Sequence, residues 1–120
     1  MARYPTGKAL LALRYPQPPP IFRPPAPPEH IRGTPEEATW HDLAAEHRID
    51  DGLGLEIILT VVEAMRRARR FREIIDRDGE MIDGEDGKPH RHPLLVSEIA
   101  SRAAVLHAMR TLMKFTKERE

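Results

Sequence analysis

Beyond residue 34, apolar side chains recur at three- and four-residue intervals, the period of a helical face rather than of a strand. Trp40, Leu43, Ala44 and His47 form the first such stripe and leave Glu36, Asp42 and Glu46 for water. It is preceded by Thr34-Pro35-Glu36-Glu37, in which Thr34 can cap, Pro35 suits the first helical position and Glu37 can close a capping box. The pattern predicts a short helix ending near Arg48. Asp50 and Asp51 then offer an N-cap to a second, longer helix that reaches about Asp78 before the stop at Gly79. Within it Ile57, Val61, Ala64, Ala68, Phe71 and Ile75 follow a 4-3-4-3-4 spacing, the seam for a partner helix. Leu55, Ile58, Leu59 and Val62 project from its other faces. One hairpin partner cannot cover all of these, so burial by the first helix or by another subunit is expected, and the four are the candidate oligomer interface.

Four glycine or proline positions between Gly79 and Pro89 predict a turn-rich connection with a short hairpin around Met81-Ile82. His92-Pro93 opens a third helix, with His92 near the cap and Pro93 at the first position. Leu95, Ile99, Ala103, Leu106, Met109 and Met113 are its expected buried stripe, and it should continue to Phe115 or beyond. The fold class predicted is all-α: a short helix followed by a long antiparallel helical hairpin.

The N-terminal third has a different character. Nine of the twelve prolines lie between Pro5 and Pro28. They remove backbone donors and disfavour helix before them, so residues 1–33 are expected to form a disordered or polyproline-like arm, briefly helical at most over Gly7 to Arg14. The arm carries a formal charge of +4. A solubilising tail, a ligand for an aromatic groove and a phosphate contact all fit that composition. Residues 34–120 then make the helical domain, small enough that oligomerisation would help its stability. The chain of 120 residues is formally neutral, with nineteen basic and nineteen acidic side chains, so electrostatic function must come from where the charges sit. It has no cysteine, which excludes disulfides and thiolate chemistry. No stretch approaches the roughly 20 apolar residues of a membrane span. Met1 to Leu13 lacks an h-region, so a reducing cytoplasm is the expected compartment.

Candidate chemistry concentrates in Arg66-Arg67-Ala68-Arg69-Arg70-Phe71-Arg72. At about 100° per residue, Arg69, Arg66, Arg77 and Arg70 lie within about 100° of one another and opposite the seam. Such a stripe can neutralise phosphates without reading bases, and these four are the candidate DNA contacts. It can equally be a solvated face paired with Glu63, Glu73 and Asp76. By contrast Thr34 to Glu56 carries −6 and Asp78 to Gly87 carries −5. Asp76-Arg77-Asp78-Gly79 fails as a calcium loop: with Gly79 at position six, position one is Ile74, and starting at Asp76 puts Met81 where glycine is needed. His90 and His92 suggest a metal-dependent nuclease, but no third ligand is evident and a cap explains His92 more simply. No phosphate loop, nucleophile elbow or paired-carboxylate spacing occurs, so neither a cofactor nor an enzyme is expected.

The segment GEMIDGEDGKPHRHPLLVSEIASRAAVLHAMRTLMKF resembles the small terminase subunits of tailed phages. In one group of them a long helix ends in a glycine turn, a short glycine-containing hairpin follows, and an Asn-Pro or His-Pro dipeptide starts the last helix. Here those elements are Gly79, Gly84 or Gly87, and His92-Pro93; more weakly, Trp40 lies in the preceding short helix. The resemblance covers about Gly33 to Phe115. It implies a non-catalytic protein of the host cytoplasm that assembles as a homo-oligomeric ring and binds viral double-stranded DNA. It also implies a protein that recruits and regulates the large terminase subunit, which carries ATPase and nuclease. The rival is a helical adaptor that oligomerises and binds protein only.

Overall fold

The computed structural model describes residues 21–119. Residues 1–20 of the arm expected over residues 1–33, with its short helical possibility, lie outside the described residues. Among the described residues three helices, α1 (Glu36–Glu46), α2 (Gly52–Asp78) and α3 (Leu94–Arg119), are joined in order, with a two-stranded ribbon of β1 (Met81–Asp83) and β2 (Pro89–Arg91) between the last two. The architecture is the one the periodicity predicts.

The chain enters α1 differently from the expected capping box. Pro35 already has helical angles, φ −56° and ψ −27°, and no side chain caps the helix. The Thr34 hydroxyl turns backwards and donates to the Ile31 carbonyl at 2.6 Å, closing the preceding turn, while the Glu37 carboxylate accepts from the Gly33 amide at 3.1 Å. Both residues stabilise the entry, one turn earlier than a capping box would. At the other end Arg48 takes a left-handed φ of 50°, and the Ile49 amide reaches back to the Ala44 carbonyl at 2.9 Å, which stops the helix and turns Ile49 into the core.

Residues 22–33 are anchored, so the boundary of the folded part lies earlier than residue 33. The Trp40 indole donates to the Pro25 carbonyl at 2.8 Å and Arg32 Nε to the Pro27 carbonyl at 2.8 Å. Pro27 is buried and Ile31 is fully buried. The prolines fall in residues 24–28, which have no regular structure and where a missing amide donor costs little, and the chain then turns over residues 29–33, with the Ile31 and Arg32 amides donating to the Pro28 carbonyl at 2.9 and 3.2 Å.

Asp51 caps α2, accepting from the Gly54 amide at 3.4 Å, and Gly79 ends it with φ 90°. The ribbon pairs Met81 with Arg91, Ile82 with His90 and Asp83 with Pro89, and Gly87, at φ 76°, supplies the left-handed residue of its turn. The His92 ring then accepts the Leu94 amide on Nδ1 at 3.0 Å, the capping role expected of it.

α2 and α3 pack antiparallel: Arg72 meets Glu98 near the ribbon, and Gly54 lies against Phe115 at the open end. α2 presents Val61, Ala64 and Ile75, all fully buried, as its spacing predicts. α3 presents only part of the predicted stripe: Met109 packs against the core and Leu95 is half-buried, but the other four residues face outwards. Its buried residues are Glu98, Ser101, Ala108 and Leu112, with Val105 and Phe115 packed against the core, whereas Ile99, Leu106 and Met113 are 60–62% exposed and Ala103 is exposed. Two polar residues therefore occupy the seam. Ser101 and Ala108 let the helices approach closely, and the Glu98 carboxylate is neutralised by Arg72 at 3.2 Å from α2 and Arg102 at 2.9 Å from α3. A buried carboxylate with two guanidinium partners meets the condition under which burial of charge is tolerated.

Candidate nucleic-acid and assembly interfaces

The four candidate interface residues on α2 are used inside the protomer. α1 and the chain leading into it lie over this face, so that Ile58 and Val62 are fully buried among Trp40, Leu43, Ala44 and Ile49, and Leu55 and Leu59 pack against the same cluster. Ile58 and Val62 offer a second copy no free surface, and Leu55 and Leu59 only the part that the cluster leaves uncovered. The apolar surplus expected of the molecule is real but sits on α3, in the stripe that hydrophobicity alone would have buried.

The candidate arginines divide into two pairs. Arg69 is a structural latch: Nε and Nη2 meet the two carboxylate oxygens of Glu36 at 2.8 and 3.2 Å, and Nη1 meets Glu73 at 2.9 Å. Glu36, expected to face water, is 3% exposed. Burial pushes its carboxyl up, and the Arg69 hydrogen bonds and charge together with backbone and Thr34 contacts outweigh this, so the net shift is downward. The hydrogen bonds that Arg69 donates to Glu36 and then to Glu73 raise its guanidinium further. The latch pins α1 to the middle of α2. Arg77 is 72% exposed and pairs with the adjacent Asp78 at 2.9 Å, drawing that carboxyl down to about 2 with help from His92. Arg66 is half-buried with its Nε unpartnered, and Arg70 is exposed and enters no ion pair among the described residues. Among the described residues Arg66, Arg67 and Arg70 thus enter no ion pair; Arg67 and Arg70 are exposed and keep the guanidinium capacity that a phosphate contact needs, whereas the Nε of Arg66 is itself buried.

The histidines are engaged locally. His90 Nε2 lies 2.9 Å from Asp86 across the turn. Because His92 Nδ1 accepts an amide proton, Nε2 is the protonated nitrogen, and it donates to Asp78 at 2.9 Å, tying the end of α2 to the start of α3. Among the described residues no three metal-ligating side chains converge. No helix there is long and apolar enough to cross a membrane.

No family model, curated protein or solved structure matches the chain. The surfaces themselves therefore carry the functional reading. Sequence reasoning missed the exposed face of α3, although one signal separated it from the buried one. Glu98, Ser101, Val105, Ala108, Leu112 and Phe115 keep a strict 3-4-3-4-3 spacing, whereas the stripe from Leu95 to Met113 steps 4-4-3-3-4 and drifts around the helix. Regularity of register, not apolarity, marked the seam.

Proposed function

We propose that this chain is the small subunit of a phage terminase: a non-catalytic protein that self-associates, binds viral double-stranded DNA and brings it to the large ATPase-nuclease subunit in the host cytoplasm. One observation carries this reading. The residues on which the resemblance rests form a single connected unit, in which Gly79 ends the long helix, the Gly84 to Gly87 turn closes a ribbon, and His92 caps the last helix while bonding back to Asp78. The exposed apolar face of α3 supports self-association, since an uncovered patch of that kind marks an interface. Arg66 and Arg70 are the phosphate contacts in this reading. Arg69 and Arg77 are reassigned to ion pairs within the protomer.

The adaptor that binds only protein is favoured by a different observation, the diversion of two of the four stripe arginines into Glu36 and Asp78. Filter retention of duplex DNA over a salt series separates the two. Under the terminase reading, replacing Arg66 and Arg70 by Ala lowers affinity and flattens the slope of log affinity against log salt by about 1 to 2 units per bound protomer. Retention that is absent, or that ignores salt and both substitutions, favours the adaptor.

A further inference from the structure

We propose that the cleft between the C-terminal ends of α1 and α3 binds a small phosphorylated ligand that also carries hydroxyl groups, a sugar or nucleoside phosphate. The cleft lies at the open end of the hairpin and consists of two adjoining depressions of about 300 and 670 Å³ that share Glu46, His47 and Thr116. Together they fall in the size range of small-molecule sites. The shared lining is held in place. The Thr116 hydroxyl donates to the Leu112 carbonyl at 2.9 Å, so its 3.3 Å contact with His47 Nδ1 is a ring N–H donating to the Thr116 oxygen, which joins the end of α1 to the last turns of α3.

Arg48 and Arg119 both line the smaller depression. Each guanidinium lies over a phenyl ring, Arg48 over Phe22 and Arg119 over Phe115, 5.3 Å from the centroid in both cases. Stacking occupies the flat face of a guanidinium and leaves the N–H groups in its plane for an acceptor. Arg48 enters no ion pair among the described residues, and Arg119 has a 3.4 Å contact with Asp51 alone. Two positioned guanidinia with donors to spare on one depression suit an oxyanion, and a phosphate matches their bidentate geometry. The backbone supports this independently. Arg48 is the one residue other than glycine with a positive φ, 50°, among the described residues. Glycine or asparagine ordinarily fills that place after a helix, because other side chains strain it. Strain of this kind persists where a side chain is needed for a ligand, and the Arg48 guanidinium has no ion pair of its own to account for it.

The larger depression indicates what else the ligand carries. Lys114 and Lys117 add two exposed positive charges and Met113 an apolar wall, whereas exposed Glu46 is the one acid in the lining of either depression. Asp50 and Glu118, near in sequence, line neither. A carboxylate among four bases opposes a bare anion. It suits a ligand whose hydroxyl groups donate to it beside the phosphate, as ribose hydroxyls donate to an acidic side chain in nucleotide sites. None of these residues belongs to the arginine cluster of α2, so the proposal is separable from the DNA contacts assigned above.

The test is calorimetric titration of the full chain, in phosphate-free buffer of low ionic strength, with inorganic phosphate, ribose 5-phosphate and adenosine 5′-monophosphate. Both organic phosphates are expected to bind more tightly than inorganic phosphate, and the tighter of the two identifies the source as sugar or nucleoside. Arg48→Gly suits the left-handed backbone, so it should keep wild-type helicity while weakening both about ten- to a hundredfold. Arg119→Gln, at an exposed site, serves if that variant misfolds. Glu46→Ala should remove the preference over inorganic phosphate, and Arg110→Gln, exposed on α3 but outside the cleft, should bind as wild type does. Failure of all three probes to bind, or binding indifferent to both Arg48→Gly and Arg119→Gln, overturns the proposal. Inorganic phosphate bound as tightly as the organic phosphates overturns the hydroxyl-bearing ligand and the role of Glu46. Retention of duplex DNA that falls with Arg48→Gly while no small phosphate binds overturns the small ligand and makes the cleft part of a nucleic-acid surface.

Discussion

Replacing Arg69 by Ala should unlatch α1 from α2. The substitution leaves Glu36, 3% exposed, without the guanidinium that meets both its carboxylate oxygens at 2.8 and 3.2 Å. Removing one partner of a fully buried pair costs about 3–5 kcal/mol, and losing an exposed pair about 0–1 kcal/mol. Here the carboxylate is buried but the arginine side chain is 34% exposed, so solvent screens part of the interaction. The expected cost falls between those limits, at about 2 kcal/mol. Glu36→Ala removes the buried charge itself and should cost less. The double variant should recover part of the loss, with a coupling energy of about 1–2 kcal/mol. The assay is urea denaturation followed by circular dichroism at fixed protein concentration, since self-association couples stability to concentration. The pH dependence provides an independent sign. The Glu36 carboxyl is lowered in the folded protein, so its stabilisation is complete above the ordinary carboxyl range and is lost as pH falls through the lowered value. Without Arg69, only the backbone and Thr34 contacts oppose burial, and the loss should begin at higher pH. An Arg69→Ala chain within about 0.5 kcal/mol of wild type, with an unchanged pH profile, would refute the latch and return Arg69 to the DNA-binding set.

Two glycines two residues apart at the start of α2 should respond with opposite signs. A Cβ on Gly54 would come within 2.5 Å of Ile49 Cγ2 and 3.0 Å of the Phe115 ring, so Gly54→Ala should destabilise by about 1–3 kcal/mol, whereas a Cβ on Gly52 meets nothing within 4 Å and Gly52→Ala should stabilise by up to about 1 kcal/mol, both read from urea midpoints. Asp78, held at about 2 by Arg77 and His92, should titrate well below a free aspartate when its carboxyl carbon is followed by NMR. Its stabilisation is complete above the ordinary aspartate value of 3.8 and is lost as pH falls towards 2, and Arg77→Ala should move the titration upward.

The element order, the two Asp- and His-capped helix starts and the α2 seam were legible because each rests on local spacing or a local hydrogen bond. Which face of α3 turns inward was not, because the decision lies with partners distant in sequence. Glu98 is buried with Arg72, from another helix, as one of its two guanidinium partners. Glu36 inverts its expected exposure for the same reason, through Arg69, thirty-three residues away. The course of residues 22–33 depends likewise on Trp40 finding the Pro25 carbonyl. Proline content alone spoke only to the absence of helix. In the candidate site the arginine cluster was visible in the sequence, but that Arg69 is latched to buried Glu36, while Arg70 enters no ion pair among the described residues and Arg77 keeps an exposed side chain beside Asp78, needed the positions of Glu36 and Asp78.

The account stands or falls first on whether the molecule assembles as a terminase small subunit would. Native mass spectrometry of the full chain at near-physiological ionic strength measures this directly. The account predicts a closed assembly of roughly eight to twelve copies, the expectation from the resemblance and from cyclic closure. A monomer or a simple dimer across the accessible concentration range would contradict it.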